Sequence, residues 1–164
     1  MSLSDRRTFL IAGAASVLGA CGFTPVYAPN GTASKLDGRI FIEEPNTRDE
    51  YIVTRQLETR LGRSDPAPMT LAFSVSVGSA GLGTTATGST TRLHTYGSVS
   101  YTLKNALSEA PIDSGVINNF TGYSATGNTA ATLAAERAAR ERLMTLLADQ
   151  LIDRLHLIDP ALLP

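Results

Sequence analysis

The 164-residue chain has one cysteine, no tryptophan and two histidines, and it carries no strong charge of either sign. A single thiol excludes an internal disulfide, and His94 and His156 have no spacing partner for a metal site built on cysteine and histidine. Both histidines therefore read as partly exposed polar residues. Lys and Arg total 14 against 15 Asp and Glu, which is none of the basic excess that a nucleic-acid binder needs. Serine is plentiful, yet there is no Gly-x-Ser-x-Gly nucleophile elbow. Gly78, Gly81 and Gly83 stand in the wrong order for Gly-x-Gly-x-x-Gly, and no Gly-Lys-Ser/Thr follows, so 78–89 reads as a hairpin loop, not a phosphate cradle. The neighbouring carboxylates Glu43-Glu44 and Asp49-Glu50 flank a Pro-Asn turn and read as solvated surface pairs. Apolar runs of the ~18–20 residues needed to span a bilayer are also missing. The most apolar late segment, 143–157, is broken by Asp149, Gln150, Asp153 and Arg154.

What the chain does possess is concentrated at its start. Arg6 and Arg7 form a short positive region, and the apolar stretch LIAGAASVLG at 10–19 falls within the ~7–15 residues of a signal-peptide core. Leu18-Gly19-Ala20-Cys21 resembles the bacterial lipobox, where Leu stands three places before the cysteine. Small residues fill that gap because the chain must lie extended in a peptidase cleft. The resemblance implies a diacylglycerylated Cys21 thiol, cleavage before Cys21 and acylation of the new amine; the alternative is an ordinary buried cysteine. One acyl chain holds a membrane only marginally and two or more hold it stably, so a triacylated Cys21 would tether the domain to a leaflet and consume the only thiol. Gly22 stands where an Asp tends to retain such proteins at the inner membrane, which favours the outer membrane. SDRRTFLI at 4–11 resembles a twin-arginine signal but departs from it at Asp5 and Ile11, so the general secretory route stays open. Removing residues 1–20 takes Arg6, Arg7 and Asp5, leaving 144 residues with 12 Lys and Arg against 14 Asp and Glu. That length suits one domain with a real core.

Beyond the cysteine, 22–35 is a tether of Pro, Gly, Asn and small polar residues, expected to lie extended, with Phe23, Val26 and Tyr27 apolar enough to dock on the domain or a partner. Ile40, Phe41 and Ile42 make a short strand stopped by Pro45. A helix follows, capped by Asn46 or Thr47, with Asp49 and Glu50 at its positive end and Val53, Leu57 and Leu61 recurring at i+4. MTLAFSVSV at 69–77 is the clearest strand, since Met69, Leu71, Phe73, Val75 and Val77 alternate with small or hydroxylated residues. One face of the sheet is thus expected outside the core. A second strand over 91–105, a turn at APIDSG (110–115) and a third strand over 115–125 complete four strands. The final helix, opened by Asn128 or Thr129, carries Leu143, Leu147, Leu151 and Leu155 in one stripe that reads as core. Glu136 and Arg140 suit an i,i+4 pair, and Asp159-Pro160 ends the segment. The expected fold is α+β, with two helices packed on one face of a mostly antiparallel four-stranded sheet in the order β-α-β-β-β-α.

ACGFTPVYAP at 20–29, a lipidated Cys followed by Gly-aromatic-x-Pro-aliphatic-Tyr, resembles the mature start of the LPS-assembly lipoprotein family LptE in its alphaproteobacterial form. The element order, the domain size and the Ala/Leu-rich last helix are similar to that family's as well. The resemblance implies a signal peptide over 1–20, a lipidated tether over 21–36 and a single LptE-like domain over 37–164. It implies an outer-membrane, periplasm-facing lipoprotein within the lumen of the LptD β-barrel, which it plugs and helps assemble so that lipopolysaccharide reaches the outer leaflet. No catalysis, no cofactor beyond the covalent lipid on Cys21 and no nucleic-acid partner are implied. The hydroxyl-rich stretches 70–76 and 84–91 suit a polar lumen. An anionic cargo would favour cations, and Arg92 and Lys104, at the two ends of a central strand, are the candidates for lipopolysaccharide contact; the plain alternative is solvated strand-end charge. The competing classes are an accessory lipoprotein of an intermembrane lipid-transport system and an envelope hydrolase, for which the sequence nominates no nucleophile.

Overall fold

A computed structural model describes Tyr27 and residues 31–84, 90–125 and 128–164. Helix α1 (Thr32–Leu36) precedes strand β1 (Ile40–Ile42) and helix α2 (Arg48–Leu61). Three long strands follow, β2 (Met69–Thr84), β3 (Thr90–Asn105) and β4 (Pro111–Ser124), then helix α3 (Thr129–His156) and a 3-10 turn at Pro160–Leu162. The α+β architecture matches the sequence reading, but the sheet, ordered β1-β2-β3-β4, is mixed. β1 runs parallel to β2, whereas β2–β3 and β3–β4 are antiparallel. The reason lies in the connection: α2 carries the chain back to the starting end of the sheet, and such a crossover returns a strand parallel to its predecessor.

The alternation in β2 works as expected. Met69 and Leu71 are fully buried, and Phe73, Val75 and Val77 pack against the same core from half-buried positions. Register pairs them with Asn105, Leu103, Tyr101, Val99 and Gly97, so both strands present one face to the helices. Leu143, Leu147, Leu151 and Leu155 of α3 are all 0 % exposed and form the other wall of the core. Each such leucine contributes about 1.5–3 kcal/mol through removal of its surface from water. Gly97 lets α3 approach closely, because a Cβ there would lie 3.1 Å from Leu147 Cδ1 and 3.2 Å from Leu143 Cδ2.

Helix α2 begins with a reciprocal cap. The Glu50 N–H donates to Thr47 Oγ1 (3.2 Å), while the N–H groups of Asn46 and Thr47 donate to Glu50 Oε2 at 2.8 and 3.1 Å. Asn128 caps α3, its side chain accepting from the Ala131 N–H at 2.8 Å.

Three expectations about connections are corrected. Residues 78–84 lie within β2 and pair with β3, although the glycines suggested a loop. Gly78 faces Tyr96, whose ring lies over it; a Cβ at 78 would sit 2.4 Å from the ring. Glycine here makes room for an aromatic ring, a use of strand glycine that composition cannot separate from a loop. The APIDSG stretch is mostly strand, because the chain has already turned at Asn105: its side-chain oxygen accepts from the N–H groups of Leu107 (2.9 Å) and Ser108 (3.1 Å). Residues 32–36 are helical where an extended tether was expected. Thr32 Oγ1 donates to the Ile158 carbonyl (3.0 Å) and Lys35 Nζ to the Pro160 carbonyl (2.7 Å), which fastens α1 to the C-terminal segment over buried Leu36 and Leu163.

Candidate functional site

The face of the sheet away from the helices is the largest feature left open by the core. It presents Thr70, Ala72, Ser74 and Ser76 from β2, and Ser98, Ser100 and Thr102 from β3. β4 adds Ser114, Val116 and Asn118 in register with those β3 residues. Alternation places these side chains opposite the core-facing set, and nearly all are small, uncharged and hydroxylated.

Toward the start of β3 the same face becomes aromatic. Tyr96 and Phe120 are directly opposite each other on β3 and β4 and are 52 % and 60 % exposed. The His94 ring stacks on Phe120 with centroids 5.1 Å apart and planes 16° from parallel. His94 is itself opposite Gly122, where a Cβ would lie 3.3 Å from the imidazole, so both His94 and Tyr96 rest on a glycine of the neighbouring strand. This repeated device holds large rings flat on an open surface and gives a platform about one strand pair wide.

Arg92 stands at the edge of that platform, exposed and without an ion-pair partner among the described residues. With His94 and Tyr123 it borders a concavity of about 350 Å³. Lys104 is on the same face at the other end of β3, its Nζ 3.9 Å from a Glu109 carboxylate oxygen. Twelve residues of strand separate the two cations by about 40 Å, so no single phosphate reaches both. Cys21, Leu18, Gly19, Ala20, Arg6 and Arg7 lie outside the described residues.

On the helical side, polar groups are used differently from the sequence reading. The Asp49-Glu50 pair is not a solvated surface pair. Glu50 is buried in its cap, and Asp49 accepts a two-point contact from Arg140 of α3. That contact raises the Arg140 pKa, chiefly through the hydrogen bond to Asp49 and against the cost of burial. Glu136, one turn before Arg140 on the same helix, adds a smaller coulombic contribution in the same direction, so the expected i,i+4 pairing acts beside the stronger two-point contact with Asp49. A second network, invisible in the sequence, ties α3 to β4. Tyr101 Oη donates to Asp113 Oδ2 (2.7 Å) and accepts from Arg154 Nε (3.2 Å). Burial first, and the Asp113 carboxylate second, push the Tyr101 pKa up.

Tyr27 meets His156 edge-to-face with centroids 5.8 Å apart, beside Asp37 and Arg60. Burial pushes the His156 pKa below its ordinary 6.5; Asp153 opposes this, Arg60 reinforces it and Asp37 opposes it. In the window between the depressed folded value and the ordinary unfolded one, the unfolded chain binds more protons. Stability therefore falls as pH drops below about 6.5 and levels off under the folded value. In His156→Gln, urea midpoints measured from pH 7.5 to 5 should lose this part of the acid slope; an unchanged slope would mean that His156 is not its source. Among the described residues no group of His, Cys, Asp and Glu is placed to hold a metal, and no helix is long and apolar enough to cross a membrane.

A family model described as LptE, lipopolysaccharide-assembly, matches residues 38–155. No curated protein matches the chain. Among solved structures, one from Caulobacter crescentus CB15, described as a lipoprotein, is similar at 22 % identity and TM-score 0.62, covering 76 % of this chain and 92 % of that one. The rare lipoprotein B of Shewanella oneidensis is similar at 13 % identity and TM-score 0.57, covering 71 % and 91 %. A minor lipoprotein of Acinetobacter baumannii is similar at 16 % identity and TM-score 0.55, covering 73 % and 90 %. At these identities the structural likeness speaks for the fold, while the family match spans most of the domain.

Proposed function

Because the chain belongs to the LptE family of lipopolysaccharide-assembly proteins, we propose that it is the plug and assembly partner of an LptD β-barrel. In this reading it is held at the outer membrane by acylated Cys21 and stands within the barrel lumen, where lipopolysaccharide is passed to the outer leaflet. The observation that carries the reading is the open sheet face. A lumen is polar and water-filled, so a domain seated in one needs a broad surface that is neither charged nor greasy, and the hydroxyl-lined face from Thr70 to Ser114 meets that requirement. The work is binding and positioning; neither catalysis nor a cofactor enters it.

The aromatic end of the face supplies a second contact, with the cargo. Sugar rings pack on flat aromatic surfaces, and a phosphate beside them accepts charge-assisted hydrogen bonds from a guanidinium. Tyr96, Phe120 and Arg92 offer that combination, whereas Lys104, paired with Glu109 at the other end of β3, is a separate, weaker contact. Arg92→Asp should reduce lipopolysaccharide retained by the purified protein by about tenfold, the scale of one charge-assisted bond, and Lys104→Asp by less. Equal retention by Arg92→Asp, with an unchanged thermal melt, would remove Arg92 from the cargo surface.

Depletion in cells tests the function as a whole. Newly made lipopolysaccharide should fail to reach the surface, and the level of folded barrel should drop. Normal surface lipopolysaccharide after depletion would contradict the reading.

A further inference from the structure

Among the described residues, no strand pairs with the outer edge of β2 beyond Leu71. β1 pairs only with 69–71, and after Ile42 the chain reaches Pro45, which has no N–H to donate, and turns into α2. The next sheet position along β2 is empty among the described residues. The outward-facing backbone groups can be assigned from two contacts. The Leu71 carbonyl accepts from the Glu43 N–H (3.1 Å), and the Val75 N–H donates to Glu50 Oε1 (3.4 Å). Both lie on the outer edge, so Phe73, Val77 and Ser79 also present their N–H and C=O outward; the first register shift comes later, at Gly81. The edge carries no Lys or Pro between 73 and 81, the residues that usually blunt exposed strands. The opposite edge differs, because β4 opens with Pro111 and its Phe120 N–H is taken by the Asn119 side chain at 2.7 Å.

Under this edge runs a groove of about 440 Å³, where α2 and α3 leave the sheet uncovered. Its floor is apolar (Ile52, Val75, Val77), and its rim sets Arg48, Arg137 and Arg140 against Asp49 and Glu141. Arg140 and Arg48 are paired with Asp49 and Glu141, while Arg137 has no partner among the described residues. We propose that the outer edge of β2 over 77–79, beyond the Val75 N–H that Glu50 occupies, together with this groove, docks an extended strand of the partner polypeptide. The strand continues the sheet in line with β1, sends alternate apolar side chains toward Ile52 and Val77, and sets an acidic side chain against Arg137. Only a polypeptide strand supplies donors and acceptors at the spacing this edge requires, which excludes a lipid or a sugar chain. A second copy would bring two uncompensated Arg137 guanidinium groups side by side, so a partner with an acidic side chain there fits better. The proposal rests on the plug reading only in taking the barrel to be that partner.

The test uses the full-length lipoprotein co-expressed with its LptD barrel. Ser79 is exposed, so Ser79→Ala removes the hydroxyl and keeps the edge N–H, whereas Ser79→Pro removes the N–H. Ser79→Ala should bring down the barrel as the unmodified chain does, and Ser79→Pro should recover about tenfold less. Arg137→Glu, a second route that leaves the strand intact, should also weaken recovery, and thermal melts of each variant separate lost docking from lost folding. Full recovery by both Ser79→Pro and Arg137→Glu overturns the edge and leaves the plug reading standing. Absence of the barrel even with the unmodified chain overturns the plug reading, and this occupant with it. A dimer of the lipoprotein alone that Ser79→Pro abolishes would assign the edge to a second copy and overturn the proposal.

Discussion

Cys21→Ala should move the protein from the membrane fraction to the soluble fraction of cells depleted of the barrel partner. Among the described residues no helix is long and apolar enough to cross a bilayer. Nor does the chain have a basic excess to hold it on an anionic surface, with 14 Lys and Arg against 15 Asp and Glu. On the proposed reading attachment rests on the acyl chains of Cys21, each of whose buried methylenes contributes about 0.8 kcal/mol, so that two or three chains hold firmly and none holds at all. Depleting the barrel matters, because a plug bound to its barrel would sediment with membranes whether acylated or not. Salt-washed membranes that still contain the Cys21→Ala protein under those conditions would show that the anchor lies elsewhere.

Leu147→Ala should cost about 3 kcal/mol of folding stability, which for a domain of this size lowers the thermal midpoint by about 10 °C. Leu147 is 0 % exposed at the centre of the α3 stripe, and it sits over Gly97, where β3 and the helix come closest. Neighbours on both sides are held by the strands and cannot close the space left by the missing methyls. The adjacent Leu146 is 42 % exposed on the other side of the helix, and Leu146→Ala should change stability by no more than about 0.5 kcal/mol. Calorimetry on the pair checks the orientation of α3, and similar losses for both would mean that the stripe does not face the sheet.

The α3 stripe and the β2 alternation were both legible in the sequence for one reason. Each depends only on the period of its own element, and Leu143 to Leu155 at i+4 or Met69 to Val77 at i+2 announce their burial without outside help. Features set by a distant residue were not legible. Gly78 looks like a loop glycine until Tyr96, eighteen positions on, is seen lying across it. Asp49 looks solvated until Arg140 arrives from α3, and α1 looks like tether until Lys35 and Thr32 find the C-terminal carbonyls. The candidate site divides in the same way. The hydroxylated face follows from alternation within each strand, but the grouping of His94, Tyr96 and Phe120 follows from the β3–β4 register. That register is fixed in part by an early turn at Asn105, five residues before the stretch whose proline suggested one. Arg92 and Lys104 were both recognisable as strand-end cations, and only the length of β3 separates their surroundings.

The central claim is that this lipoprotein works inside an outer-membrane barrel. The most direct measurement is purification of the tagged, acylated protein from detergent-solubilised envelopes, followed by electrophoresis with and without heating and identification of whatever stays bound. The plug account predicts one large barrel that co-purifies in equal proportion and shifts mobility on heating, as folded barrels do. Recovery of the lipoprotein by itself, or with the components of a periplasmic transporter in place of a barrel, would contradict it.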